Sequence, residues 1–152
     1  MKPYELRKVK LFKALSEETT AFSAELWLHG AKVADCCNRG HGEAVLFHYI
    51  SPEAKAAHIA YCKTLPPLPA DDLCEMPLAF DVDLHVTKLL ADWKEHQWLK
   101  HACKRKTVFR LKGLRTSEWY TINSPYTPTL SDRLHKEYGD RLAEIANEKF
   151  QE

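Results

Sequence analysis

A histidine and a cysteine four residues apart, His58 and Cys62, are the side chains in this sequence best spaced for chemistry. On a helix this spacing puts both on one face, where an imidazole can polarise a thiol for nucleophilic attack. The same face carries Ala54, Tyr61 and Leu65, which favours instead a buried cysteine beside a hydrogen-bonded histidine. The chain has no G-x-S-x-G, P-loop or HExxH motif. We therefore expect a protein that is not an enzyme, and a cysteine-dependent enzyme is the third hypothesis.

The cysteines and histidines also raise the question of a metal site. A structural zinc site usually takes four thiolate or imidazole ligands from two close pairs such as C-x2-C. Here Cys36 and Cys37 are adjacent, so on a strand only one of them could join His41 or His48. The sequence therefore predicts no metal ligand and no cofactor. Five cysteines without a signal peptide favour reduced thiols over disulfides.

A glycine-rich stretch follows those two cysteines and could be taken for a phosphate-binding loop. Asn38, Gly40 and Gly42 all tolerate a positive φ, and the apolar run 45–50 comes next. A dinucleotide-binding loop needs a helix directly after its glycines, whereas this run is short and suits a strand. The stretch is therefore predicted to be a turn between two strands.

A cluster of positive charge lies in residues 100–115, which hold seven Lys and Arg residues and no acid. The whole chain has 22 basic and 21 acidic residues, so only such a local surface could attract a nucleic acid. Basic residues also suit the end of a helix and the solvent face of a strand. Nucleic-acid binding is thus the second hypothesis, with the candidate residues Lys104, Arg105, Lys106, Arg110 and Lys112.

The four tryptophans suggest contact with another protein. Tryptophan buries a large area and is common among the anchors of protein interfaces. Trp27 lies opposite the apolar residues of its predicted strand, and Trp98 lies on the second face of a long predicted helix. We name Trp27, Trp98 and Trp119 as candidate anchors, for another protein or for a second copy of this chain. Packing within the fold is the structural alternative.

Hydrophobic periodicity and turn residues predict the following elements. The first half has strands at 7–15, 22–28, 31–37 and 45–50, a helix at 52–64 and an irregular proline-rich segment at 65–80. The second half has a helix from Asp81 or Asp83 to Cys103, and strands at 107–111 and 119–122 around a turn at 113–117. A last helix begins at Thr129 and has a break near Gly139; its apolar face carries Leu130, Leu134, Tyr138, Leu142 and Ile145.

Together these elements predict an α+β fold for residues 1–152 as a single domain. Its antiparallel sheet would come from two hairpin regions packed against two or three helices. The chain has no apolar run long enough to cross a bilayer, so we expect no membrane partner and a cytoplasmic protein.

Three stretches, EETTAFSAELWLHGAKVADCCNRGHGE, TVFRLKG and EWYTINSPYTP, resemble small uncharacterised proteins carried by bacteriophages and mobile elements. The resemblance covers the two hairpin regions and implies no activity, site or cofactor. It does imply a protein that acts by occupying a surface of another molecule. The first hypothesis is therefore a small non-enzymatic binding or regulatory protein that acts through protein–protein contacts.

Overall fold

The computed structural model describes residues 3–68, 76–112 and 118–150. Contacts divide the chain into two compact units, Met1–Trp93 and Lys94–Glu152. Each unit holds one antiparallel sheet, which confirms the predicted α+β class. The two hairpin regions form separate sheets, whereas the sequence pattern predicted a single sheet. The single-domain organisation stays a prediction.

The first unit is a four-strand meander with helices. Its strands follow one another in the order β1-β2-β3-β4, as the short hairpin connections of the sequence indicate. The elements are β1 (Tyr4–Leu11), β2 (Phe22–Leu28), β3 (Ala31–Asn38), β4 (Leu46–Tyr49), α1 (Pro52–Thr64) and the first part of α2 (Val82–Ala102).

The strand predicted at 7–15 begins earlier and ends earlier than expected. Lys8 has a φ of 52°, and the pairing of β1 with β2 shifts register between Arg7 and Lys10. This bulge breaks the simple alternation on which the prediction rested. After β1 the chain forms a short 3-10 turn, Lys13–Leu15, instead of continuing the strand.

One face of this sheet builds the core of the first unit. Cross-strand partners Leu6, Leu26, Ala34 and Tyr49 lie in one row, because alternate residues of paired strands share a face. Val86 from α2 is fully buried in the same cluster. Leu26 and Ala34, in the middle of the row, are also fully buried, so this face of the sheet is the centre of the unit.

The second unit contains the end of α2, a three-stranded sheet and a further helix. Its strands are β5 (Thr107–Leu111), β6 (Tyr120–Ile122) and β7 (Leu142–Ile145), in the order β6-β5-β7, and its helix is α3 (Pro128–Tyr138). Asn147 is buried and joins two parts of this unit: its amide donates to the Lys106 carbonyl and accepts from the Val108 N–H. The predicted turn at 113–117 lies outside the described residues.

The C-terminal helix is shorter than predicted. It is capped by Thr127, whose hydroxyl accepts from the Leu130 N–H, and not by Thr129. It ends at Gly139, where φ is 53°. Leu142 and Ile145 therefore leave the helical face and pack from β7 against Phe109 and Leu134, because β7 gains a ladder with β5. The pairing partner, distant in sequence, overrides the helical periodicity.

The irregular segment predicted at 65–80 is described only at its two ends. Leu68 and Leu78 exchange backbone hydrogen bonds as an isolated bridge, and the part between 69 and 75 lies outside the described residues. The following helix is capped by Asp81, whose carboxylate accepts from the Leu84 N–H at 2.7 Å, so its predicted start is confirmed. No helix in the described ranges is long and apolar enough to cross a membrane.

The glycine-rich stretch is a turn between β3 and β4, as predicted. Gly40 has a φ of 88°, and its carbonyl accepts from the N–H groups of Glu17 and Glu18, each at 3.0 Å. The Asn38 side chain accepts from the Gly40 N–H and donates to the Glu43 carbonyl. The turn thereby ties the β1–β2 connection to the β3–β4 connection.

Two glycines test this role of the turn, because both have positive φ but only one is crowded. A Cβ at Gly40 would overlap the Leu15 carbonyl oxygen, whereas a Cβ at Gly30 would meet nothing within 4 Å. We expect Gly30→Ala to cost about 1 kcal/mol of unfolding free energy and Gly40→Ala about 3 kcal/mol or more. Urea unfolding followed by circular dichroism measures both, and equal costs would contradict the packing described here.

Candidate functional site

Three buried side chains of the first unit converge: His58 and Cys62 from α1, and His85 from the first turns of α2. One donor atom from each lies within 4.8 Å of the donors of the other two. In the described part of the chain, no other group of three His, Cys, Asp or Glu side chains converges in this way. This histidine–cysteine cluster is the candidate functional site.

Helix capping fixes where α1 presents its two residues. The Ser51 hydroxyl accepts from the Ala54 N–H at 3.1 Å, and Pro52 occupies the first turn, so the helix starts at a defined residue. His58 and Cys62 then fall one turn apart on the face that turns inward.

The start of α2 is fixed in a similar way. Asp81 caps its first turn, and the Asp83 carboxylate accepts from the Val45 N–H at 2.7 Å, just before β4 begins. His85 follows in the same turn and points to His58. The cluster is thus positioned by two capped helices and one sheet edge.

A chain of hydrogen bonds runs through the cluster. The Tyr49 hydroxyl lies 2.9 Å from His58 Nδ1, and His58 Nε2 lies 2.8 Å from His85 Nδ1. A single N–H must lie between the two rings, since a hydrogen bond joining two imidazole nitrogens needs one donor and one acceptor. These hydrogen bonds therefore link β4, α1 and α2 through two imidazole rings.

Aromatic rings form the walls around these imidazoles. Tyr4 has its ring centroid 4.9 Å from that of His58 and 5.5 Å from that of His85. Tyr61 lies 5.4 Å from His85, and Phe47 lies 5.9 Å from His58. Such walls lower the local dielectric, so a positive charge on His58 is disfavoured.

The electrostatics follow from this burial. Desolvation, with a smaller contribution from His85, lowers the pKa of His58 to about 4. Desolvation, together with the charge of Asp81, raises the pKa of the Cys62 thiol to about 11. A thiol kept protonated is a poor nucleophile, so these shifts oppose the catalytic His58 and Cys62 pair considered from the sequence.

The candidate tryptophans lie in different surroundings. Trp98 in the second unit is 48% exposed. Trp27 is half-buried on the outer face of the first sheet, where the Arg7 guanidinium stacks 4.2 Å from its ring. Trp119 is half-buried, and its indole N–H donates to Glu95 at 2.8 Å. Of the three, Trp98 offers the largest share of its ring to a partner.

The basic residues proposed for nucleic-acid binding also differ from one another. Arg110 on β5 forms an ion pair with Glu144 on β7, and its guanidinium lies 5.0 Å from the Trp119 ring. Glu144 also binds Lys149 at 2.7 Å, so part of the positive charge is already neutralised. The exposed basic side chains are those of Lys104, Arg105, Lys106 and Lys112.

The earlier metal candidates do not converge. Cys36 is buried on the inner face of β3, and desolvation raises the pKa of its thiol to about 12. Cys37 points to the other face. His41 lies in the exposed turn, with Nδ1 3.2 Å from a Glu17 carboxylate oxygen.

Sequence reasoning missed His85, the third member of the cluster. It lies 27 residues after His58, across the proline-rich segment, so no local spacing relates the two. One signal was available: His85 interrupts the apolar face of the predicted long helix, close to Val86 and Leu89. A polar residue at such a position needs a buried partner.

An acid titration tests whether His58 is neutral in the folded state. Its folded pKa of about 4 lies below its ordinary value of 6.5, so the unfolded chain takes up a proton between these pH values and the folded protein does not. The stabilisation is complete above pH 6.5 and is lost as the pH falls towards 4, by roughly 3 kcal/mol in total. Urea unfolding across this range, in metal-free buffer, measures the loss.

Two variants serve as controls for that titration. His58→Gln should lower the stability at neutral pH and flatten the slope. His48→Gln, which changes an exposed histidine of β4, should leave the slope unchanged. A wild-type stability that does not vary between about pH 6.5 and pH 4.5 would show that His58 is not held neutral.

Comparison with known proteins assigns no function to the histidine–cysteine cluster. No protein-family model, no curated protein and no solved structure matches the chain.

Proposed function

We propose that this chain is a small non-enzymatic binding or regulatory protein that acts through contacts with another protein. The observation that carries the proposal is the open edge of the first sheet at β4. Leu46 in β4 and Ile50 directly after it are 40% and 63% exposed, and among the described residues no strand pairs with β4 on the side away from β3. An edge strand with exposed apolar side chains suits the addition of an extended segment from a partner.

The opposite edge of the same sheet supports this choice by contrast. β1 carries Lys8 and Lys10, and its bulge at Lys8 breaks the ladder register. Lysines and bulges are among the devices that protect an edge strand from pairing with another chain. β4 has neither device, so the two edges differ in their readiness to take up a strand.

Trp98 adds a second contact candidate in the other unit. Its exposed indole lies on α2, next in sequence to Leu99, which is buried. A single exposed tryptophan is weaker support than an open strand edge, because isolated apolar residues are common on surfaces.

Nucleic-acid binding is the second candidate function. It is supported by Lys104, Arg105 and Lys106, which are exposed in the turn that follows α2. The ion pair of Arg110 with Glu144 reduces the charge available on the neighbouring strand. Binding through these residues would fall steeply as the salt concentration rises.

A double variant at the β4 edge tests the protein-binding proposal. Leu46→Lys with Ile50→Lys places two charges where a partner strand would pack, and we expect capture of the partner to fall by about tenfold or more. Met76→Lys, a charge change at another exposed apolar residue, is the matched control and should keep the partner. Circular dichroism checks that both variants fold.

The measurement is an affinity pull-down from a lysate of the cell that carries the gene, with and without nuclease. A protein captured by wild type and by Met76→Lys, but not by the double variant, supports the proposal. Equal capture by all three, or no capture of a protein, contradicts it. Capture that disappears with nuclease favours the nucleic-acid alternative.

A further inference from the structure

We propose that His58, Cys62 and His85 bind a d10 transition-metal ion, zinc(II) or copper(I), inside the first unit. All three side chains are buried, and their donor atoms lie within 4.8 Å of one another. This site goes beyond the protein-binding function and does not involve Leu46 or Ile50, the exposed apolar side chains on which that function was proposed. Its test can therefore fail while that function stands, and the reverse is also true.

The spacing of the donors supports one shared ion. Two ligands four residues apart on a helix present their donors to the same point, and His58 and Cys62 have this spacing on α1. His85 adds a third donor from a different helix, which closes the arrangement around that point. Such a combination of a helical pair and a distant third residue has no C-x2-C signature.

The interatomic distances require only small movements. His58 Nε2 and His85 Nδ1 are 2.8 Å apart. Around a tetrahedral ion with metal–nitrogen distances near 2.0–2.1 Å, two nitrogens stand roughly 3.3 Å apart. The two rings would separate by about half an ångström, and the widest donor pair would close by about 1 Å, as side-chain rotations allow.

Tyr49 supplies the support that a ligating histidine needs. A metal-bound imidazole usually donates its other ring N–H to an oxygen, which fixes its tautomer and orientation. With His58 Nε2 on the ion, Nδ1–H points at the Tyr49 hydroxyl oxygen, 2.9 Å away. The hydrogen bond that joins Tyr49 and His58 in the metal-free cluster can therefore also hold His58 in place when its Nε2 binds the ion.

The ligand chemistry selects the class of ion. Two imidazoles and one thiolate suit zinc or copper(I), whereas magnesium and calcium take oxygen ligands. Each neutral imidazole has one lone pair to give, so coordination releases one proton, from the Cys62 thiol, to solvent. The charge of the ion offsets the cost of a thiolate in an aromatic-walled interior.

A metal titration in the presence of a reductant tests the site on the full chain after removal of metal with a chelator. Cobalt(II), a coloured replacement for zinc, should give thiolate-to-metal charge-transfer absorption that saturates at one equivalent and is abolished by zinc. Copper(I), added separately with a colorimetric competitor, distinguishes the two ions. Magnesium should give no change. If cobalt gives no charge-transfer band and neither zinc nor copper(I) binds, the cluster is only a hydrogen-bonded network and the proposal is wrong.

Variants test whether the charge-transfer absorption arises from metal bound to these residues. Cys62→Ser, close in size to the wild type, should remove the charge-transfer band, and Tyr49→Phe should weaken zinc binding by about tenfold. Cys37→Ser and His48→Gln, which lie on the outer face of the sheet, should keep both. A band retained by Cys62→Ser would place the metal elsewhere and overturn the proposal. The wild-type titration decides the question even if a variant fails to fold.

Discussion

The first unit depends on two histidines, His58 and His85, that are buried side by side and hydrogen-bonded to each other. His58 is fully buried between a sheet and two helices, so its two nitrogens must find partners inside the protein. Tyr49 and His85 provide them at 2.9 Å and 2.8 Å. Removing either partner leaves a polar atom without a hydrogen bond in an apolar site, which typically costs 1–3 kcal/mol. These two hydrogen bonds thereby fix the relative positions of β4, α1 and α2.

The same burial separates the cluster from the exposed surface of this unit. The reactive side chains of the cluster are enclosed by aromatic rings, so in the metal-free state the arrangement favours stability over nucleophilic chemistry. The proposed contact with a partner therefore involves the outside of the sheet. There the bulged, lysine-bearing β1 and the apolar edge at β4 differ in their capacity to pair.

Local sequence signals predicted the elements well where they carry their own caps and turns. Ser51 and Pro52 marked the start of α1, and Asp81 marked that of α2, because capping acts over a few residues. The end of α3 was wrong, since Leu142 and Ile145 belong to a strand that pairs with distant β5. The cluster was half predicted: spacing related His58 to Cys62, whereas His85 joins them only through the tertiary fold.

The shared proton between the two imidazoles tests the account most directly. Nitrogen-15 NMR of the metal-free protein at neutral pH can detect scalar coupling across a hydrogen bond between two ring nitrogens. We expect coupling between His58 Nε2 and His85 Nδ1, and a neutral ring at His58. An imidazolium ring at His58, or two rings without coupling and with rapidly exchanging protons, would contradict the account.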